Sequence, residues 1–212
     1  MGIIGVVAAL TLPNLNSSTG DKEKVAKVKK IYSNLNDAFG RAEAVYGPVD
    51  TWCVGSLRDC DSRFLNRISE FLKISKICDN ISACHIGLHE NDSDSTSGLS
   101  YVILADGSLV DMLFSGSHVR FRIDIDGVQK GANKRGHDVF LFYANHEKGV
   151  YVSDIMNNSS AYVNKGIDNH FDEADSVAWI INFDNMDYLK TSDGTTCPNG
   201  TKLTVGGNHS CK

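Results

Sequence analysis

The residues of this chain best suited to chemistry are hard oxygen donors gathered in one stretch. Asp124-Ile125-Asp126-Gly127 is followed at short range by Asn133 and Asp138. Carboxylate and amide oxygens held on a single loop are what a calcium ion takes up. The spacing departs from an EF-hand, which wants an acidic residue where Arg135 stands. The same residues also spell a turn, in which short Asp and Asn side chains accept bonds from nearby backbone N–H groups while Gly127, Gly131 and Gly136 take positive φ. Residue types alone leave both readings open. The turn is the plainer of the two, and calcium is expected to bind weakly at most.

Sulfur is the second source of chemistry. The cysteines are Cys53, Cys60, Cys78, Cys84, Cys197 and Cys211, an even number with short local spacings. That pattern fits an oxidising compartment outside the cytoplasm, although spacing does not by itself choose among the possible pairings. We expect three local bridges, Cys53–Cys60, Cys78–Cys84 and Cys197–Cys211. Cys78, Cys84, His85 and His89 offer thiolate and imidazole to zinc. Their spacing matches no regular zinc knuckle, and an oxidising compartment converts such thiols to a disulfide.

Catalytic motifs are missing from the sequence. No nucleophile signature surrounds any cysteine, and there is no Gly-x-Ser-x-Gly elbow, phosphate-binding glycine loop or His-Glu-x-x-His pair. The histidines are scattered singly. The chain therefore reads as a non-enzyme with no identifiable small-molecule substrate. Its formal net charge of −5, with Lys and Arg not gathered into a block, removes the electrostatic footprint of a nucleic-acid binder. Asn-x-Ser/Thr triplets at Asn80, Asn91, Asn158 and Asn199 are read as chance in an Asn- and Ser-rich chain.

The elements that must position these residues begin with a long helix. With 42% apolar and 22% charged residues over 212, the chain can bury the core of one domain. From Asp21 to Gly47 the apolar positions Val25, Val28, Ile31, Tyr32, Leu35, Phe39, Ala42, Val45 and Tyr46 recur at helical spacing, and Gly47-Pro48 ends the segment. Thr19 or Asp21 is placed to cap its start. Ahead of it lies MGIIGVVAALTLPNL, an apolar run shorter than the roughly 20 residues needed to cross a bilayer. Pro13 between the two predicts a kink. A second helix is predicted from Ser62 to about Ile77, on Phe64, Leu65, Ile68, Phe71 and Leu72, with disulfides stapling both its ends.

Beyond a polar loop at His89–Gly98 the period becomes that of strands. Leu99–Ala105 and Ser108–Phe114 flank Asp106-Gly107, a two-residue hairpin signal. His118–Asp126 alternates strictly, and Asp138–Ala144 and Val150–Ile155 complete an antiparallel meander with one wet face. A short helix is predicted over Glu173–Phe183. The Gly-, Thr- and Asn-rich tail from Thr191 to Lys212 is expected to be closed by a disulfide.

This order of apolar segment, kinking proline, amphipathic helix, loop and antiparallel sheet resembles the type IV pilins and type II secretion pseudopilins. The sharpest match is IIGVVAALTLPNL, Ile3 to Leu15, which resembles the second half of that family's methylated N-terminal segment. The blocks ILADGSLV (Ile103–Val110), IDIDGVQKGANKRGHDVFLFY (Ile123–Tyr143) and WIINFDNMDYLK (Trp179–Lys190) resemble recurrent blocks of pilin-like proteins of this secretion class. Family members precede the segment with a basic leader, a processing glycine, a methylated phenylalanine and a glutamate. The resemblance implies such a stretch upstream of Met1.

The resemblance further implies an α+β, pilin-like fold, with a long N-terminal helix packed on an antiparallel meander and disulfide-stapled loops. Residues 1–20 would be the remnant of the apolar assembly or membrane helix, on Ile3, Ile4, Val6, Val7, Leu10, Leu12 and Pro13, and 21–212 the globular head. It implies a structural filament subunit in the bacterial cell envelope or outside it, held in the inner membrane before assembly. Its partners would be copies of itself and related subunits. Some major pseudopilins carry a calcium loop after their sheet, which favours calcium at Asp124, Asp126, Asn133 and Asp138. The competing reading is a secreted monomeric binding or adhesion module that uses the same head through loops such as His89–Gly98 and Asn157–His170.

Overall fold

The computed structural model describes residues 3–53, 57–78, 100–114, 118–127, 130–131, 133–155, 173–191 and 195–212, without the side chains of 3–19, 57–58, 100 and 173–174. The predicted polar loop at His89–Gly98 and the segment Asn157–His170 lie outside them.

Helix α1 runs from Ile3 to Tyr46. Its buried stripe, Val25, Val28, Ile31, Leu35, Ala38, Phe39 and Ala42, recurs every three or four residues, the spacing of one helix face. The helix stops where the sequence demands: Gly47 takes φ 78°, and its N–H bonds to the carbonyl of Glu43 at 2.9 Å. The helix is continuous through Pro13, Thr19 and Asp21, so the caps expected at Thr19 or Asp21 are not used. A proline removes one intrahelical bond and crowds one carbonyl, a local cost that need not end a helix extended on both sides.

Helix α2 spans Leu57–Ser69, and the chain then turns into strand β1, Ile74–Cys78. This corrects the expectation of one helix reaching Ile77. The apolar period carries on through Phe71 and Leu72, but Ile74 and Ile77 belong to a strand paired with a partner distant in sequence. The remaining strands are β2 (Ser100–Leu104), β3 (Leu109–Phe114), β4 (Val119–Asp124), β5 (Val139–Asn145) and β6 (Gly149–Tyr151). They form one antiparallel sheet in the order β1-β2-β3-β4-β5-β6. Gly107 closes the β2–β3 hairpin at φ 86°. Helix α3 spans Glu173–Phe183, the range read from the sequence, and packs against β5 and α1.

Helix α1 docks on the β5–β6 edge through apolar and polar contacts together. Tyr32 stacks on Phe142, with centroids 5.9 Å apart, and its hydroxyl donates to the Val150 carbonyl, whose own N–H is accepted by Asn36 Oδ1 at 3.2 Å. Below it an aromatic chain links the layers: Phe39 meets Trp52, Trp52 meets Phe64, and Phe64 meets Phe121 of β4. The result is α+β, with α1 and α2 over the sheet face that carries Val110, Met112, Phe121, Ile123, Phe140 and Phe142. The opposite face is not the wet face that alternation implies. Tyr101, Leu109, Asp111 and Leu141 are all buried, and Asp111 pairs with Arg122 on the neighbouring strand at 3.6 Å.

Two disulfides brace the loops, Cys53–Cys60 beside α2 and Cys197–Cys211 across the tail. Cys78 is also disulfide-bonded, and Cys84 lies outside the described residues.

Asp61 of α2 is buried, and its Oδ1 accepts the N–H of Phe114, tying the helix to the end of β3. Its Oδ2 is buried without a hydrogen-bond partner. Burial pushes the carboxyl up to about 6. The folded chain then holds this proton more tightly than the unfolded one, so the group's stability contribution is lost as pH rises from about 4 to about 6. We expect Asp61→Asn to match the wild type at pH 4 and to exceed it by roughly 2–3 kcal/mol at pH 8. Parallel denaturant melts at the two pH values test this, and equal gaps at both would remove the assignment.

Candidate metal centre

Strand register builds the site. Asp124 ends β4 opposite Val139, and Ile125 N–H bonds to the Asp138 carbonyl at 2.9 Å, so the hairpin holds the two ends of the 124–138 connection side by side. Between them the chain makes a tight loop, with Gly127 at φ 84°, Gly131 at φ 72°, Asn133 at φ 48° and Gly136 at φ 75°. Side chains at two of the glycines would collide with the site or its frame. A Cβ on Gly127 would lie 2.9 Å from the Gly107 carbonyl. One on Gly131 would lie 2.5 Å from Oδ2 of both Asp126 and Asp138.

Part of the turn reading is realised. Asp124 Oδ1 accepts the N–H groups of Asp126 and Gly127, at 3.2 and 2.9 Å. Asp138 accepts those of Asn133 and Lys134, at 3.0 and 2.6 Å. The turn leaves oxygens unused, however. Asp124 is fully buried, yet its Oδ2 and the Oδ1 of Asp126 are buried and receive no bond from an N–H group or hydroxyl, which leaves them only a proton shared between the two carboxyls. Asn133 Oδ1 is buried beside them in the loop. Burial, the hydrogen bond between the two side chains and the charge of Asp126 push Asp124 up to about 7.

Of the four residues read as ligands, Asp126 and Asp138 meet around Gly131, the Asp124 carboxyl lies beside that of Asp126, and Asn133 is joined to Asp138 through its backbone. Among the described residues no group of three acidic, histidine or cysteine side chains stands in a ready metal-ligand arrangement. The donors are nevertheless all oxygen, two of them orphaned, around a glycine whose missing side chain keeps the space open. Such a set fits calcium, which takes about six to eight oxygens from carboxylates, amides and carbonyls in flexible geometry. Two residues outside the loop escaped the sequence reading. The Tyr188 hydroxyl donates to the Gly136 carbonyl at 2.7 Å, and Lys24 Nζ donates to the His137 carbonyl at 3.1 Å. The only sequence signal for Tyr188 was its place in WIINFDNMDYLK, and Lys24 carried none.

The zinc alternative loses Cys78, whose sulfur is in a disulfide; Cys84, His85 and His89 lie outside the described residues. The backbone of Ile3, Ile4, Val6, Val7, Leu10, Leu12 and Pro13 is helical. No helix among the described residues is long and apolar enough to cross a membrane. No protein family, curated protein or solved structure matches this chain.

Proposed function

We propose that this chain is a pilin-like structural subunit of a bacterial envelope filament, a type IV pilus or a type II secretion pseudopilus. The observation that carries the reading is the length of α1 relative to the head it packs on. The helix has 44 residues, but the first buried side chain described on it is Val25. Residues 3–24 add about 33 Å of helix ahead of Val25. Their sequence is apolar from Ile3 to Leu12, the composition expected of a helix that finds its burial among neighbouring copies. The head, residues 21–212, has a core and disulfides of its own. Copies of the chain and related subunits are its partners in this reading, with the inner membrane holding it before assembly.

Calcium is the cofactor we assign to the filament subunit, with Asp124 and Asp126 offering their orphaned oxygens and Asn133 and Asp138 closing the loop. Neutralising a buried pair of carboxylates is the chemistry the ion supplies. The chain's own residues orient the oxygens through the glycine turns and exclude water by burying Asp124.

Assembly is tested by comparing a chain lacking residues 1–15 with one carrying a full prepilin segment upstream of Met1, in a host with the prepilin peptidase and assembly platform. The shortened chain is expected to be folded, soluble and monomeric. The extended one should enter filaments or the inner membrane, seen by fractionation and electron microscopy. Release of the extended protein as a free monomer, together with failure of the shortened one to fold, would make the apolar run part of a globular core and end the filament reading.

A further inference from the structure

Resting on the cation reading of the β4–β5 loop, we infer that this loop is a cation-dependent clamp on α1 at the point where the helix leaves the head. Cation binding and the rigidity of the helix around Lys24 are then reciprocally linked.

One short stretch carries both functions. Gly136, His137 and Asp138 are consecutive. The first offers its carbonyl to the buried Tyr188 hydroxyl at 2.7 Å, and the second offers its carbonyl to Lys24 Nζ at 3.1 Å. The third is fully buried, and its carboxylate lies with that of Asp126 against Gly131. A rigid peptide unit separates each group from the next, so the direction of the Asp138 carboxylate and the directions of the two carbonyls are not independent. Lys24 immediately precedes Val25, the first buried residue of the helix stripe among the described side chains. Its hydrogen bond therefore anchors α1 one residue ahead of the described part of that stripe.

Without a cation the loop must hold Asp124, Asp126 and Asp138 together, with two buried oxygens unsatisfied. Buried charge and unmet acceptors favour local opening of such a segment. Opening at Asp138 moves the His137 carbonyl and frees Lys24. A bound cation removes the penalty, holds the carbonyl in place and fixes the helix turn. Because linkage is symmetrical, whatever releases Lys24 must also weaken cation binding by the same factor. The exit angle of the helix, on which the packing of neighbouring copies depends, thereby responds to divalent cations outside the cell.

The test is isothermal titration of the whole chain with calcium chloride, paired with backbone hydrogen exchange over residues 21–28 and 125–138. The variants are Lys24→Met, Lys24→Arg and, as a charge control, the exposed Lys22→Met. We expect calcium to slow exchange in both segments of the wild type. Lys24→Met should bind calcium roughly five-fold more weakly or worse, keep protection in the loop and lose it in the helix. Lys24→Arg should recover much of both effects, and Lys22→Met should behave as the wild type. Unchanged affinity in Lys24→Met, or a calcium-bound wild type whose 21–28 exchange does not slow, overturns the clamp and leaves the cation site standing. Equal losses in Lys22→Met and Lys24→Met also overturn it, since net charge alone would then account for the effect. A wild type that takes up no calcium ends the cation reading itself, and the clamp with it.

Discussion

Leu35→Ala is expected to destabilise the protein by about 2–5 kcal/mol, the range for emptying a fully buried leucine site. Leu35 is 0% exposed and sits mid-stripe on α1, between Ile31 and Phe39, in the main core cluster. Truncation removes its transfer free energy and leaves a cavity that rigid neighbours fill poorly. Aromatic pairs stand on either side of the helix contact, Tyr32 stacked on Phe142 and Phe39 tilted against Trp52, and such rings cannot collapse into the gap without losing their own packing. For a chain of this size the melting temperature should drop by roughly 5–20 °C. A matched change at an exposed position of the same helix, Asn34→Ala, should move it little. Calorimetry of the two variants decides the matter. An unchanged midpoint for Leu35→Ala would mean that α1 is not packed on the sheet.

Calcium is expected to raise the melting temperature of the wild type and to do nothing for Asp126→Ala. Extracellular calcium modules bind at about 0.1–1 mM. At 10 mM ion against the tighter of these constants, mass action stabilises the folded state by about 2.7 kcal/mol, or roughly 5–10 °C. Asp126 is the informative position because its carboxylate faces both Asp124 and the Gly131 space, and one of its oxygens has no bond to lose. Gly131→Ala should also abolish the rise, since its Cβ would fall within 2.5 Å of two carboxylate oxygens at a φ that disfavours any side chain. Thermal melts with calcium, magnesium and chelator on the three proteins provide the comparison. A wild-type midpoint indifferent to calcium would leave the loop as a hydrogen-bonded turn.

The residues of the candidate site were legible because their chemistry is written in residue type. Asp124, Asp126, Asn133 and Asp138 stand within 15 positions, and glycines mark where the chain must turn. What residue type could not convey is which oxygens the turn consumes. Asp124 and Asp138 spend oxygens on backbone N–H groups, whereas Asp124 Oδ2 and Asp126 Oδ1 are left over, and only atomic geometry separates the two sets. The grips of Lys24 and Tyr188 on the loop were invisible for a simpler reason. Lys24 lies 113 positions from His137, and its bond goes to a backbone carbonyl, which carries no residue signature.

Local periodicity and punctuation determined by themselves the helix stop at Gly47, the Asp106-Gly107 hairpin, the strand segments from β2 to β6, helix α3 and the closure of the tail by Cys197 and Cys211. Each rests on interactions among residues close in the chain. Three features were decided by tertiary structure instead. The stretch Ile74–Cys78 became an edge strand because β2 offered it a ladder, overriding a helical period that ended two residues earlier. Alternation in β3 and β4 implied a wet face, but Asp111 and Arg122 are drawn into a pair on a buried surface, since a charged residue can be covered once its partner is aligned across the strands. Lys24 reaches the His137 carbonyl only because α1 is docked beside the β4–β5 loop, a neighbourhood that no local pattern encodes.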